Sequence, residues 1–311
     1  IKGNLSEGLL KALDSKLIID KKVETNNTEA YEYYLKGLYR LQKTENIEDK
    51  EIARGLLKKA IELDNNLIYA KGLLGFSYSN AGDYFKAMEI LLPALKQAEK
   101  LDEKKALGQL HYFIGTAYYC KGDYNKALDY YDRSLAIQEE LGDKRGIGHS
   151  LNSIGDVHKN KGDYDTALEY YEKSLDIQEE LGDNYSIVSS FGLNNIGNVH
   201  YSKRDYDKMF SHLQKAVNIQ KEIGALELET VTLFALANKN LSKEYDEKEI
   251  HTLIKEAENI EFELNLRLYE LLEDALYLET AYNQVQEKAN NLEPNVAAKF
   301  LELPIPSAIV E

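Results

Sequence analysis

The 311 residues contain no tryptophan, four prolines and a single cysteine, Cys120. One cysteine cannot close an internal disulfide, so a reducing, cytoplasmic setting is expected. No run of 18 or more apolar residues occurs, and no segment is expected to span a membrane. Bases are outnumbered by acids, 38 to 53, giving a formal net charge of -15. A nucleic-acid partner needs basic patches, so this balance argues against one; long-range steering instead biases the partner toward basic peptides. Phosphate-cradling GxxxxGK[ST] and GxGxxG patterns are missing. His149 has no second ligand at metal-binding spacing on its helix, and Cys120 has no histidine that the sequence places beside it. Neither a metal, a cofactor nor a catalytic constellation is therefore expected, and the chain does not read as an enzyme. Ile1 is not an initiator methionine, so the sequence reads as a fragment whose upstream residues are unknown.

What is present is a ruler. Apolar residues at 43% beside 29% charged residues describe a globular chain, long enough for two ordinary domains or one elongated array. Most of its 23 tyrosines stand at fixed places. Lys121-Gly122-Asp123-Tyr124-Asn125-Lys126-Ala127-Leu128 recurs 40 residues later at Lys161-Gly162-Asp163-Tyr164 and 40 residues earlier at Ala81-Gly82-Asp83-Tyr84. Lys203-Arg204-Asp205-Tyr206 follows the later copy by 42. A fixed period of this size means stacked helical repeats. In the clearest copy the first helix covers about 108 to 121, and Gly122 takes the left-handed conformation that closes it. Asp123 caps a second helix over about 124 to 141, which Gly142 ends. Short turns force the two helices antiparallel.

Gly115, Tyr118, Gly122, Tyr124, Ala127 and Tyr131 resemble the signature of tetratricopeptide repeats. Gly155, His158, Gly162, Tyr164, Ala167 and Tyr171 repeat it, and Gly75, Tyr78, Gly82, Tyr84, Ala87 and Leu91 precede it. A weaker copy has Gly197, His200, Arg204, Tyr206, Met209 and Leu213. A degenerate one has Gly37, Ala53, Leu57 and Ala60, with about four extra residues in its turn. The period resembles the longer-repeat class of LGN-type and kinesin light-chain arrays. The resemblance implies an all-α fold, a right-handed superhelical solenoid of antiparallel helix pairs with capping helices at both ends. On this reading 1–24 is a capping helix and 25–224 holds about five repeats, the best at 68–182. Residues 225–290 form a degenerate pair plus a capping helix running from about 264 to 290, and 291–311 a tail, with a short helix from Pro294 to about Leu301 and an extended stretch at Leu303-Pro304-Ile305-Pro306. Thr28 is expected to cap the helix that follows it. Pro93 removes one backbone bond and should kink its helix near Glu89, and two residues are inserted within Asn184 to Leu193. Gly115, Gly155 and Gly197 are expected to face Ala127, Ala167 and Met209 across each pair, with Tyr124 and Tyr131 filling the joint between repeats.

In tetratricopeptide arrays the first helices line a concave groove. Carried over by position, the resemblance implies a peptide-binding wall of Tyr69, Phe76, Asn80, Gln109, Tyr112, Thr116, Tyr119, His149, Asn152, Asp156, Lys159, Asn194, Asn198 and Tyr201. It is aromatic at its N-terminal end and rich in amides further on. Asparagine offers both donor and acceptor, so a row of them can pair with an extended peptide whatever its side chains; the alternative is that these amides only solvate or cap helices. His158 and His200 occupy the Tyr118 slot and read as packing residues. The function expected is a non-enzymatic protein- or peptide-binding scaffold. The alternatives are a sensory arm of a larger signalling enzyme, such as a nucleotide cyclase or kinase, and a self-association module.

Overall fold

The protein was analysed as a computed structural model that describes residues 25, 27–43, 47–182, 187–257, 260–292 and 294–310. The first expected helix, the capping segment 1–24, and residues 184–186 of the expected insertion lie outside them. All regular structure among the described residues is helical, in consecutive pairs and without strands. The chain divides into two compact units, 1–145 and 146–311.

Unit 1 holds three pairs: α1 (Thr28–Lys43) with α2 (Ile47–Leu63), α3 (Ile68–Ser79) with α4 (Tyr84–Leu101), and α5 (Lys104–Cys120) with α6 (Tyr124–Leu141). The cap of α1 is Asn27 and not Thr28, because Asn27 Oδ1 accepts the Ala30 amide at 3.1 Å and Thr28 is already the first helical residue. Asp83 and Asp123 cap α4 and α6 as expected, taking the amides of Lys86 and Lys126. Gly122 and Gly142 are left-handed, with φ of 82° and 65°. Pro93 lies inside α4, yet the helix is continuous from Tyr84 to Leu101; the loss of one amide donor is absorbed without ending it.

Glycine packing corrects the expected pairing. A Cβ placed on Gly115 would lie 2.7 Å from the ring of Tyr131, and one on Gly155 would lie 2.7 Å from Tyr171. Gly75 meets Leu91 and Gly197 meets Leu213 in the same way. The partner is thus the residue sixteen positions on, not the alanine at twelve, and Tyr131 and Tyr171 fill the pair itself rather than the joint between repeats. At Gly37 the partner is Leu57, four positions later still, as the longer turn requires. The Tyr124 slot does span a joint as expected: in its preceding copy, Tyr84 Oη donates to the Cys120 carbonyl of the next pair at 2.8 Å. A second fixture, unforeseen in the sequence, is a serine in the second helix. Ser134 donates to the Gly108 carbonyl and Ser174 to that of Gly148, each at 2.8 Å, with Gln138 and Gln178 donating to the serines from one turn on.

Unit 2 contains α7 (Lys144–Asn160, all but its first two residues), α8 (Tyr164–Glu180), α9 (Ile187–Ser202), α10 (Tyr206–Ile223), α11 (Leu228–Asn240) and α12 (Glu247–Glu256). Next come α13 (Phe262–Leu272), α14 (Ala275–Asn290), α15 (Pro294–Leu301) and α16 (Pro304–Val310). His158 stacks on Tyr170 and His200 on His212, at 5.6 and 5.5 Å, as Tyr118 does on Tyr130 in unit 1; the histidines in the tyrosine slot are packing residues.

Two expectations near the C-terminus are overturned. The single helix over 264–290 is two, because Glu273 turns left-handed at φ 59° and Asp274 caps α14 by accepting the Leu276 amide at 3.0 Å. The extended tail is helical. The short helix expected from Pro294 to about Leu301 is present, and Pro304 opens a further one; at each, proline's fixed φ fits and its missing donor costs nothing. Phe300 and Ile309 then pack with Val285 and Ala289 of α14.

These contacts set two tests. Gly155→Leu should drive a side chain into Tyr171 and cost about 1–3 kcal/mol; an unchanged denaturation midpoint would refute the pairing. Arg204 stands at φ 57° where the other repeats have glycine. Arg204→Gly should stabilise the protein by about 1 kcal/mol, read from urea melts, because an L side chain is strained in that region.

Candidate functional site: the inner helix faces

The wall expected from the sequence falls on the first helices of the pairs and is divided between the units. In unit 1, α3 and α5 carry Tyr69, Phe76, Gln109, Tyr112, Thr116 and Tyr119, all half-buried, while Asn80 is exposed just beyond α3. The aromatics lean on each other. Phe76 lies 5.0 Å from Phe113, Tyr112 lies 5.6 Å from Tyr131, and Tyr119 lies 5.8 Å from Tyr124. Tyr131 Oη donates to Thr116 Oγ1 at 3.3 Å, which fixes the hydroxyl one residue past Gly115. This face is an aromatic floor, braced from behind and short of charge.

In unit 2 the same rung carries a charge. Tyr171 Oη donates to Asp156 Oδ1 at 2.6 Å, Asp156 being the residue one past Gly155. Asn195 Nδ2 reaches Asn152 Oδ1 at 3.2 Å and Asp156 Oδ1 at 3.4 Å, and Asn152 Nδ2 reaches Asp156 Oδ2 at 3.4 Å. The amide that joins Asn152 is therefore Asn195. Asn194 is buried at 3% exposure, with no hydrogen-bond partner for its Oδ1. Its neighbour, one helical step around, is the residue that shares the face. His149 is half-buried on α7, one turn before Asn152 and Ser153.

The fourth copy breaks the pattern and gathers the remaining groups. Its tyrosine is replaced by Leu213, which has no hydroxyl to give to Asn198, the residue one past Gly197. Asn198 turns instead to helices further along. Its Nδ2 donates to Glu229 on α11 at 3.5 Å and to Glu263 on α13 at 3.3 Å, and its Oδ1 accepts from Arg267 Nη2 at 2.6 Å. Arg267 also donates to Glu263 at 2.7 Å and stacks its guanidinium 5.3 Å from the ring centre of Tyr201. Lys159 Nζ, from α7, completes the group 3.8 Å from Glu263.

The electrostatics follow from this order. Burial works against the charge on Glu263, but Lys159 and Arg267 outweigh it and hold the carboxyl down to about 2. Burial also works against the Lys159 ammonium, and Glu263 and Asp156 more than offset it, so its pKa is raised. Asp156 goes the other way: burial lifts its carboxyl above the ordinary range despite Lys159 and the Tyr171 hydroxyl. The cations lie deepest, with Arg267 at 3% and Lys159 at 13% side-chain exposure, while Glu229 is 43% exposed. Such a face offers solvent carboxylate oxygens and amides over a buried basic layer. Its chemistry is hydrogen bonding and charge pairing. Among the described residues no three of His, Cys, Asp and Glu stand where they could hold a metal ion, and no helix is long and apolar enough to cross a membrane.

Sequence reasoning placed Asn152, Asp156, Lys159, Asn198 and Tyr201 on the inner helices. It missed Tyr171, Asn195, Glu229, Glu263 and Arg267. The Tyr171 link was within reach, since Thr116 and Asp156 each follow the glycine that a tyrosine covers. Glu263 and Arg267 carried no signal beyond that of an ordinary i,i+4 pair on a solvated helix.

The family model for the tetratricopeptide repeat matches residues 66–140 and, one repeat on, 108–180. No curated protein matches the sequence. Several solved structures share the fold. The Rap protein complexed with Competence and Sporulation Factor superposes with a TM-score of 0.62 at 17% identity, over 98% of this chain and 79% of that one. The apo form of RapI gives 0.55 at 17%, over 91% and 97%. A STAND signal-transduction ATPase with a tetratricopeptide repeat sensor, from Pyrococcus horikoshii, gives 0.58 at 17%, over 86% of this chain but 40% of that one. At such identities the likeness is one of fold. With the 40-residue period, the helix pairs and the glycine contacts that space them, residues 66–180 are tetratricopeptide repeats.

Proposed function

We propose that the chain is a non-enzymatic scaffold that binds an extended segment of a partner protein along its inner helix faces. The observation that carries this reading is the row Asn152, Asn195 and Asp156. These half-buried groups bond mainly to one another, and the three bonds that link them measure 3.2 to 3.4 Å, at the long end for an amide. Exchanging such bonds for those of a peptide backbone costs little, and each amide presents both a donor and an acceptor. Tyr201 and Lys159 extend the row in unit 2, and Asn198, 1% exposed and engaged by Arg267, joins it only once uncovered. In unit 1, Tyr69, Phe76, Tyr112 and Tyr119 supply an apolar surface for side chains, with Gln109 and Thr116 as its polar members. His149 and Asn194 contribute less on this reading, Asn194 because it is buried. Accessible carboxylates at Glu229 and Glu263, and the net charge of -15, favour a basic segment. The Rap protein that shares the fold is found complexed with Competence and Sporulation Factor, so the fold accommodates a bound partner.

Peptides selected on the purified protein from a displayed random library, then titrated by calorimetry, test the proposal. Asn152→Ala/Asn195→Ala should weaken binding about tenfold, the effect of losing roughly 1.4 kcal/mol of hydrogen bonding. Basic residues should be enriched among the selected sequences. Undiminished affinity in the double variant would move the site off this face.

A further inference from the structure

In helical repeat arrays each repeat touches only its neighbours. Unit 2 departs from that. Lys159, in the last turn of α7, meets Glu263, in the first turn of α13, although the inner helices α9 and α11 lie between them in the order of repeats. One turn along α13, Arg267 binds Asn198 of α9 through Nη2, and its Nη1 lies 3.8 Å from Glu229 of α11. Four inner helices thus converge on one polar cluster, and α7 is tied to α13 by side chains alone. The tie occupies the face assigned above to a partner: Asn198 has its carbonyl oxygen engaged by Arg267 and its amide nitrogen by Glu263 and Glu229.

The cluster is also incompletely satisfied. Arg267 Nε and Nη1 are buried with no hydrogen-bond partner, so this guanidinium is held through Nη2 and by charge. A fully satisfied buried network rigidifies its surroundings; a partly satisfied one is closer to balance with an opened state.

We propose that Lys159, Glu263, Arg267 and Asn198 form a clasp that holds the inner face of unit 2 closed, with α13 as an intramolecular competitor for the groups a partner segment would use. Opening separates α13 from the last turn of α7 and releases Asn198. The competition part rests on the peptide-binding reading; the clasp itself does not.

Hydrogen–deuterium exchange on the full chain without ligand tests the clasp. Lys159→Met removes the cation that reaches α7 while keeping a long side chain. Amides of α13 and of the last turn of α7 should then exchange at least tenfold faster, while those of α10, away from the cluster, keep their wild-type rates. Should circular dichroism show that variant misfolded, Glu263→Gln provides the same test, since it removes the charge but still accepts from Arg267. Unchanged exchange in α13 in the folded variant overturns the clasp. The library-selected peptides, titrated against Arg267→Met, which uncovers Asn198 without removing a residue assigned to the binding row, should bind several-fold tighter; unchanged affinity overturns the competition. Faster exchange in a protein that captures no peptide at all would leave the clasp standing and refute the peptide-binding reading, so the two failures are separable.

Discussion

Each clear repeat is spaced by a glycine backbone set against a side chain sixteen residues later. At Gly75, Gly115, Gly155 and Gly197 a Cβ would come within 2.5 to 2.7 Å of the facing leucine or tyrosine, nearer than any real Cβ tolerates. This contact sets how near the two helices of a pair stand. The rest of each repeat is arranged around that spacing. Gly108 and Gly148, a turn or two earlier, allow Ser134 and Ser174 to reach a backbone carbonyl across the gap. A buried hydroxyl there would be costly without its partner. Capping aspartates and left-handed glycines then only need to turn the chain between helices already held at a fixed distance.

The facing residue also decides what the inner surface can do. A tyrosine at that position passes under the glycine and emerges with its hydroxyl at the next residue of the first helix. It pins Thr116 in one repeat and Asp156 in the next. A leucine fills the same space but ends short of the surface. The change from Tyr171 to Leu213 therefore costs little in packing, yet it frees Asn198 to bond with Glu229, Glu263 and Arg267. A substitution within the helix pair thus reorganises the polar chemistry of the inner face.

How much of this was legible depended on distance along the chain. The period, the capping residues Asp83, Asp123 and Asp205 and the left-handed glycines all lie within a few residues of what they act on, and all could be read. The glycine partner was misread because small-on-small packing with Ala127 is a reasonable guess at short range, whereas the Tyr131 ring fills the gap. Asn194 and Asn195 differ by one helical step, about 100° of rotation, and the residues inserted before them made the register uncertain. The break between α13 and α14 was hidden by Leu271, Leu272, Ala275 and Leu278, which keep helical spacing across Glu273 and Asp274. Arg267 and Asn198 are 69 residues apart, and no local rule connects them.

Charge at the meeting point of four helices calls for a physical reason, since an apolar joint would serve stability as well or better. A buried ion pair contributes little net stability against a hydrophobic replacement, while removal of one partner from such a pair costs about 3–5 kcal/mol. Apolar residues at 159, 198, 263 and 267 would shut the inner face permanently and leave nothing there for a polar chain to exchange with. The cluster found instead is held by groups that water, salt or a partner's own amides can replace, and Glu263 at 24% side-chain exposure is within their reach. Against burial, Lys159 and Arg267 hold its carboxyl down to about 2, and Lys159 is in turn held charged by Glu263, Asp156 and Glu229. An acceptor that drew Arg267 or Lys159 away from Glu263 would find the remaining members already short of partners. On the clasp proposed above, closure by charge would place selectivity on α13, which among the four helices that meet there lies furthest along the chain from the clearest repeats.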